Sequence, residues 1–270
     1  MVSLGKRSRS ASASFIVALA ATALFGVSEA RAAAGPIAEG GVDWTAWKAG
    51  NEIDSLASLQ RGARNFMGYC SGCHSIKYKR YTRMAEDLRI PEEDLEKYLL
   101  LPGDKKTDYI ITALSPADGE AWFGKAPPDL SLIVRARGAD YVFQFLKTFY
   151  SDPATPSGVN NLALPGTAMP HVLSELQGVQ TATFQTIEQK GSDGSVSTQQ
   201  AFVKFDPGVP GSMTEAEYDE FIRDTVNFLD YVGEPAQLVR RSVGIWVILF
   251  LLAFTGIAYL LKKEYWKDVR

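Results

Sequence analysis

Cysteine and histidine are nearly absent from this chain, with two of each in 270 residues. So few thiols exclude a small scaffold stapled by disulfides. They also leave too few ligands for an ordinary structural zinc site, which takes four, because outside one short cluster only His171 is left. Positive charge is scarce in the centre of the chain: between Ala33 and Val239 there are 18 Lys and Arg against 28 Asp and Glu, a net of −10. An acidic body lacks the electrostatic footprint of a nucleic-acid binder, so nucleic acid is excluded as a partner. Long apolar runs are confined to the two ends.

At the first end, Lys6, Arg7 and Arg9 precede an apolar run from Phe15 to Val27, followed by small residues at Ser28, Ala30, Ala32, Ala33 and Ala34. Basic, apolar and small-residue regions in that order make a secretory signal peptide, cleaved after Ala30 or Ala32. At the other end, Val243 to Leu261 holds no charged side chain and, as a helix rising about 1.5 Å per residue, spans roughly 28 Å, enough for a bilayer core. Arg240 and Arg241 precede it, and Lys262, Lys263, Lys267 and Arg270 follow. The richer basic flank is expected on the cytoplasmic side. Trp246 near one end and Tyr259, Tyr265 and Trp266 near the other suit the headgroup belts. The expected organisation is a signal peptide (1–32), a periplasmic domain (33–239), a transmembrane anchor (240–262) and a cytoplasmic tail (263–270) of a single-pass inner-membrane protein.

The cysteines stand in Cys70-Ser71-Gly72-Cys73-His74. This is the spacing of c-type haem attachment, in which two thiols add to the haem vinyl groups and the adjacent imidazole becomes the proximal iron ligand. A thioredoxin-type dithiol shares the Cys spacing but needs a strand-to-helix setting, whereas Leu56, Leu59, Ala63, Phe66 and Tyr69 recur before the motif at helical spacing. One covalent haem c is therefore expected. Methionine is the common sixth ligand of an electron-transferring haem c. Met1 leaves with the signal peptide, Met67 lies one turn before Cys70, and Met213 opens the last helix. Met84 and Met169 remain, and Met169 lies in the Pro- and Gly-punctuated run Leu164 to His171, which can present a side chain free of helical constraint. Met169 is favoured, with His171 as its rival.

Other segments are legible by pattern. Val179 to Phe205 flanks Gly191-Ser192-Asp193-Gly194 with β-branched and aromatic residues and reads as a β-hairpin whose apolar face packs on the head or on a partner. Thr214 and Glu217 form a capping box, opening a helix with Tyr218, Phe221, Ile222, Thr225, Val226 and Leu229 on one face. That helix is expected to cross the one before Cys70. Glu86, Asp87, Glu92, Glu93, Asp94 and Glu96 form the densest acidic patch, either a docking surface for a basic partner or a solvated face. Lys77-Tyr78-Lys79-Arg80-Tyr81 reads as a contact for haem propionates or a neighbouring subunit, or as solvated surface, and the loop between Ser151 and Ala163 is expected to be held by packing.

Several separated runs resemble one family. Ala126-Pro127-Pro128-Asp129-Leu130-Ser131, continuing through Leu132 to Arg137 and Asp140 to Phe143, is similar to the central signature of the cytochrome c1 family. Ala168-Met169-Pro170 resembles its distal-ligand segment, and the order of amphipathic helix, Gly233-Glu234-Pro235, apolar helix and basic tail is similar too. The resemblance implies a mostly α, cytochrome-c-like haem head with loop and β-hairpin insertions and one C-terminal transmembrane helix. It implies His74 and Met169 as axial ligands and places Arg137 and Tyr141 near the propionates. It also implies a one-electron carrier in a dimeric cytochrome bc1 complex, beside cytochrome b and the Rieske iron-sulfur protein, feeding a soluble cytochrome c. The alternatives are a free-standing membrane-anchored cytochrome c serving a terminal oxidase and, in a different class, a haem sensor or peroxidase with an open sixth position.

Overall fold

The computed structural model describes residues 35–190 and 196–268. The expected signal peptide and the hairpin turn Gly191–Gly194 lie outside the described residues. Two crossed helices organise the rest. Helix α1 (Leu56–Tyr69) buries Leu59, Ala63 and Phe66, the stripe expected from their spacing. It ends in the Cys-x-x-Cys-His turn. After β1 (Ile76–Arg80) come α2 (Tyr81–Asp87), β2 (Tyr109–Ile110), α3 (Pro116–Phe123), α4 (Ile133–Arg137) and α5 (Ala139–Lys147). A short hairpin of β3 (Phe149–Ser151) and β4 (Val159–Asn161), helix α6 (Ser174–Gln177) and a long hairpin of β5 (Gly178–Lys190) and β6 (Val196–Pro210) precede α7 (Glu215–Gly233) and α8 (Gln237–Tyr265). The protein is mostly helical, with its strands in three antiparallel pairs among the described residues.

Helix α7 starts as its sequence requires. Thr214 Oγ1 accepts from the Glu217 amide at 3.3 Å, and the Glu217 carboxylate accepts from the Thr214 amide at 2.9 Å, which satisfies donors the first helical turn leaves open. Its buried Tyr218, Ile222, Val226 and Leu229 pack in one core with Leu59, Ala63 and Phe66 of α1. The crossing is close at Gly62, where an added Cβ would lie 2.1 Å from the Asp224 carbonyl oxygen and 2.6 Å from Phe228 Cβ. Beside it runs a polar seam. Asp224, its side chain 5% exposed, accepts from Ser58 Oγ at 2.6 Å and from the Arg61 guanidinium, while Asn65 Nδ2 donates to the Phe221 carbonyl at 3.1 Å. Tyr69 meets Phe221 edge-on, ring centres 5.3 Å apart.

The long hairpin forms as expected, pairing Gly178 with Pro210 through to Lys190 with Val196. It packs on the head from its base to its middle, where Phe184 meets Tyr150 edge-on. Phe202 is buried with Trp44, Leu162 and Ala163, and the Ala38 and Val42 amides donate to the Phe202 and Val203 carbonyls. Phe184 and Val196 are exposed. The Ser151–Ala163 loop departs from expectation, because hydrogen bonds as well as packing hold it. Its ends pair as β3 and β4, and Asn160 Nδ2 donates to Asp152 Oδ2 at 2.9 Å across the turn. Helix α8 contains a 23-residue candidate span, Val243–Tyr265, whose apolar window has mean hydropathy 2.4 and no buried residue, long and apolar enough to cross a membrane.

Replacing Gly62 by Val should overpack the α1–α7 crossing and cost about 1–3 kcal/mol. Gly68→Ala is the control, since nothing lies within 4 Å of a Cβ there, and should be neutral or slightly stabilising. Thermal melts of the full chain in detergent check this; equal melting temperatures for the two variants would contradict the crossing.

Candidate functional site

Cys70 caps the C-terminus of α1, its amide donating to the Phe66 carbonyl at 2.9 Å. The Cys73 and His74 amides then both donate to the Cys70 carbonyl, at 3.1 and 2.8 Å, which folds the five residues into a tight turn. Ser71 Oγ donates back to the Met67 carbonyl at 2.7 Å. Both thiols are half-buried and unpaired. Burial, with the neighbouring Cys73 adding to it, pushes the Cys70 thiol up to about 12. The motif follows a helix and leads into a strand, the reverse of the strand-to-helix setting a thioredoxin-type dithiol needs.

His74 is held in one tautomer. Its Nδ1 lies 2.7 Å from the Pro128 carbonyl oxygen, which can only accept, so Nδ1 carries the proton and Nε2 keeps its lone pair. Burial lowers the imidazole's basicity, only partly opposed by the Pro128 bond and by Asp129, and keeps the ring neutral. A neutral imidazole with its far nitrogen anchored to a carbonyl is the usual state of a metal-ligating histidine.

The Ala126–Ser131 run is tied to the motif along its length. The Leu130 amide donates to the Ser75 carbonyl, the Lys77 amide to Asp129 Oδ2 at 2.9 Å and the Tyr78 amide to Ser131 Oγ at 3.2 Å. From the other side, Thr112 Oγ1 donates to the Gly72 carbonyl at 2.8 Å and its amide to Ser75 Oγ at 2.9 Å. Chain neighbours of these anchors, Ile111 and Leu132, are 54% and 47% exposed. Two free thiols, a fixed neutral imidazole and uncovered apolar side chains beside them fit a large apolar ring bearing a metal.

Met169 sits on a separate, half-buried loop, and no hydrogen bond among the described residues joins that loop to Cys70–His74. Asn160 and Asn161, which sequence reading passed over, position it. Fully buried Asn161 accepts at Oδ1 from the Ala163 and Leu164 amides and donates from Nδ2 to the Phe145 carbonyl at 2.7 Å; Asn160 Oδ1 accepts from the Gly166 amide. His171 stacks on Phe149, ring centres 4.9 Å apart and 4° from parallel, and burial lowers its pKa to about 4. Met84 is wholly buried in the core. Arg137 and Tyr141 are brought together, the guanidinium 5.5 Å from the ring centre, and Arg137 makes no ion pair among the described residues. Tyr141 packs partly buried between the two apolar clusters.

The reading of the Lys77–Tyr81 run is corrected in part. In the Lys77–Tyr81 run, Tyr81 is buried and Lys79 points inward, its ammonium 2.9 Å from Tyr231 Oη and 3.6 Å from Asp87, while Lys77, Tyr78 and Arg80 are exposed. The acidic patch is compensated only in part: Asp87 pairs with Arg83 and Lys79, and Glu92 and Glu96 share Lys106, while Glu93 and Asp94 stay exposed. A cavity of about 380 Å³ between the hairpin base, Trp47 and the start of α7 contains no motif residue in its lining.

A family model described as the Cytochrome C1 family matches residues 102–198 and 200–269. Among curated proteins, cytochrome c1 of Allochromatium vinosum is 45% identical over 81% of this chain and 87% of its own length. The ammonia monooxygenase gamma subunit of Nitrosomonas europaea is 45% identical over 78% of this chain and 83% of its own. Cytochrome b/c1 of Bradyrhizobium diazoefficiens is 28% identical over 98% of this chain and 41% of that longer protein.

Asn161→Ala should leave the buried Ala163 amide without its acceptor, costing on the order of 1–3 kcal/mol. It should also raise amide exchange at residues 163–169 selectively. Hydrogen-exchange mass spectrometry checks this, and unchanged protection there would remove Asn161 from its positioning role.

Proposed function

This chain belongs to the cytochrome c1 family, and we propose on that footing that it is the haem-c electron-carrier subunit of a cytochrome bc1 complex, taking electrons from a Rieske iron-sulfur protein and delivering them to a soluble cytochrome c. The observation that carries the reading is the ligand set itself: two free thiols in Cys-x-x-Cys spacing, then an imidazole whose Nδ1 is committed to Pro128 and whose Nε2 is open. Haem c bound there would supply an iron that gains and loses one electron at a time. The chain breaks no substrate bond.

Cys70 and Cys73 would hold the porphyrin covalently, His74 Nε2 would bind one face of the metal and the Met169 thioether the other. Competing methionines have other work. Met67 and Met84 are buried in the core, and Met213 packs against it. His171, face-on to Phe149, gives up a stacking contact if it swings out to a metal. Arg137, free of carboxylate partners among the described residues and stacked on Tyr141, is suited to a propionate. In this reading the first 32 residues are the export signal, α8 is the single anchor, the head is periplasmic, and cytochrome b is a neighbour in a dimeric complex. The name cytochrome b/c1, carried by one relative, supports that neighbour.

A second reading has equal identity behind it, because the relative named as an ammonia monooxygenase gamma subunit is also 45% identical. Detergent purification separates the two: cytochrome b should travel with this chain, and monooxygenase subunits in its place would favour the second.

Met169→Leu should lower the haem midpoint potential, since the thioether favours ferrous iron, and let carbon monoxide bind the reduced protein. His171→Phe should do neither. Redox titration and optical spectra check both, and an unchanged midpoint in Met169→Leu would assign the sixth position elsewhere. Glu93 and Asp94 are exposed and make no ion pair among the described residues, so Glu93→Gln with Asp94→Asn should flatten the salt dependence of electron delivery to a basic cytochrome. An unaltered salt slope in stopped-flow traces would move the docking surface off this patch.

A further inference from the structure

The chain breaks helix where head meets anchor. Helix α7 ends at Gly233. Glu234 (φ −151°, ψ 75°) lies outside helical geometry, as expected of a residue before proline. Pro235 has no N–H to continue the ladder, and α8 resumes at Gln237. Three residues between two long helices make a hinge unless something spans them.

Glu234 spans them with its side chain. Oε2 accepts from Arg135 Nη1 of α4 at 2.7 Å, and Oε1 accepts from Arg240 Nη1 in the first turns of α8. Gln237 Nε2 of α8 lies 3.3 Å from Asp230 Oδ1 and 3.4 Å from Glu234 Oε2, a further tie across the break. The Glu234 side chain is 21% exposed, against 52% and 61% for Arg135 and Arg240, so solvent and salt screen the two pairs in part. Gly233 admits the arginine, since a Cβ there would lie 3.2 Å from Arg135 Cγ. Helix α4 continues the Ala126–Ser131 run that fixes His74, and it ends at Arg137.

We propose that Glu234 is an orientation clamp: one carboxylate, held by Arg135 of the head and Arg240 of the apolar helix, sets the tilt of the ligand-bearing head relative to the membrane anchor. The inference rests on α8 as the anchor and deepens the function above, because a carrier between membrane-bound and soluble partners works only over the angles its tether allows. Glu234 touches neither the thiols nor the proposed axial ligands. It is a positioning residue.

The test uses the full chain in phospholipid nanodiscs, with nitroxides on ketone-bearing amino acids at positions 157 and 261, which spares Cys70 and Cys73. Pulsed EPR should give a narrow distance distribution for the unsubstituted protein and loss of that narrow peak in Glu234→Gln. The charge reversal Glu234→Lys with Arg135→Glu and Arg240→Glu should regain it, which a general loss of packing would not do. The haem spectrum should be the same in all three. An undiminished narrow peak in Glu234→Gln, or a reversal variant as broad as the single one, overturns the clamp. Absence of a haem spectrum would overturn the function proposed above while the distances still test the clamp; failure to enter nanodiscs would overturn the clamp with the anchor.

Discussion

The hydrogen bond from His74 Nδ1 to the Pro128 carbonyl joins two segments 54 residues apart, and most of the site depends on that junction. It selects the tautomer, leaving Nε2 as the donor atom, and it draws the Ala126–Ser131 run against the motif. Asp129 and Ser131 then accept from Lys77 and Tyr78. The same run leads directly into α4, hence to Arg137 at one end and to the Arg135–Glu234 pair at the join with α8. One backbone carbonyl thus links the imidazole proposed as proximal ligand, the arginine proposed for a propionate and the proposed clamp at the join with α8.

The scaffold beneath is a helix crossing made tight by a glycine and held by polar groups as well as apolar ones. Asp224, buried against Ser58 and Arg61, is costly to bury unless fully paired, so the seam contributes alignment more than net stability. Alignment matters because α1 ends in Cys70: a shift of α1 along α7 would move both thiols and the imidazole together. The Lys79–Tyr231–Asp87 cluster pins the strand after the motif to the far end of α7, so both sides of the Cys-x-x-Cys-His turn are referenced to the same helix.

Sequence periodicity made α1, α7, the long hairpin and the apolar helix legible, because each obeys a local rule: a 3.6-residue stripe, a capping box, alternating β-branched residues around Gly-rich turns, an uncharged run. The Cys-x-x-Cys-His motif was legible because its chemistry is local as well. What depends on partners distant in sequence was not. Lys79 looks solvent-facing in a run of basic residues, yet its partners Asp87 and Tyr231 lie 8 and 152 residues away. Asn161 shows its importance only once β3 and β4 pair and bring it under the Met169 loop. Glu92 and Glu96 show a shared partner only once Lys106 is folded against them.

The central claim is that a single haem is joined covalently to this polypeptide through Cys70 and Cys73. Intact mass and the alkaline pyridine spectrum of the purified mature chain, taken after extraction with acidified acetone, test it most directly. One haem per chain should survive extraction and disappear when both cysteines are replaced by alanine. A colourless chain, or pigment that passes into the acetone, would contradict the account.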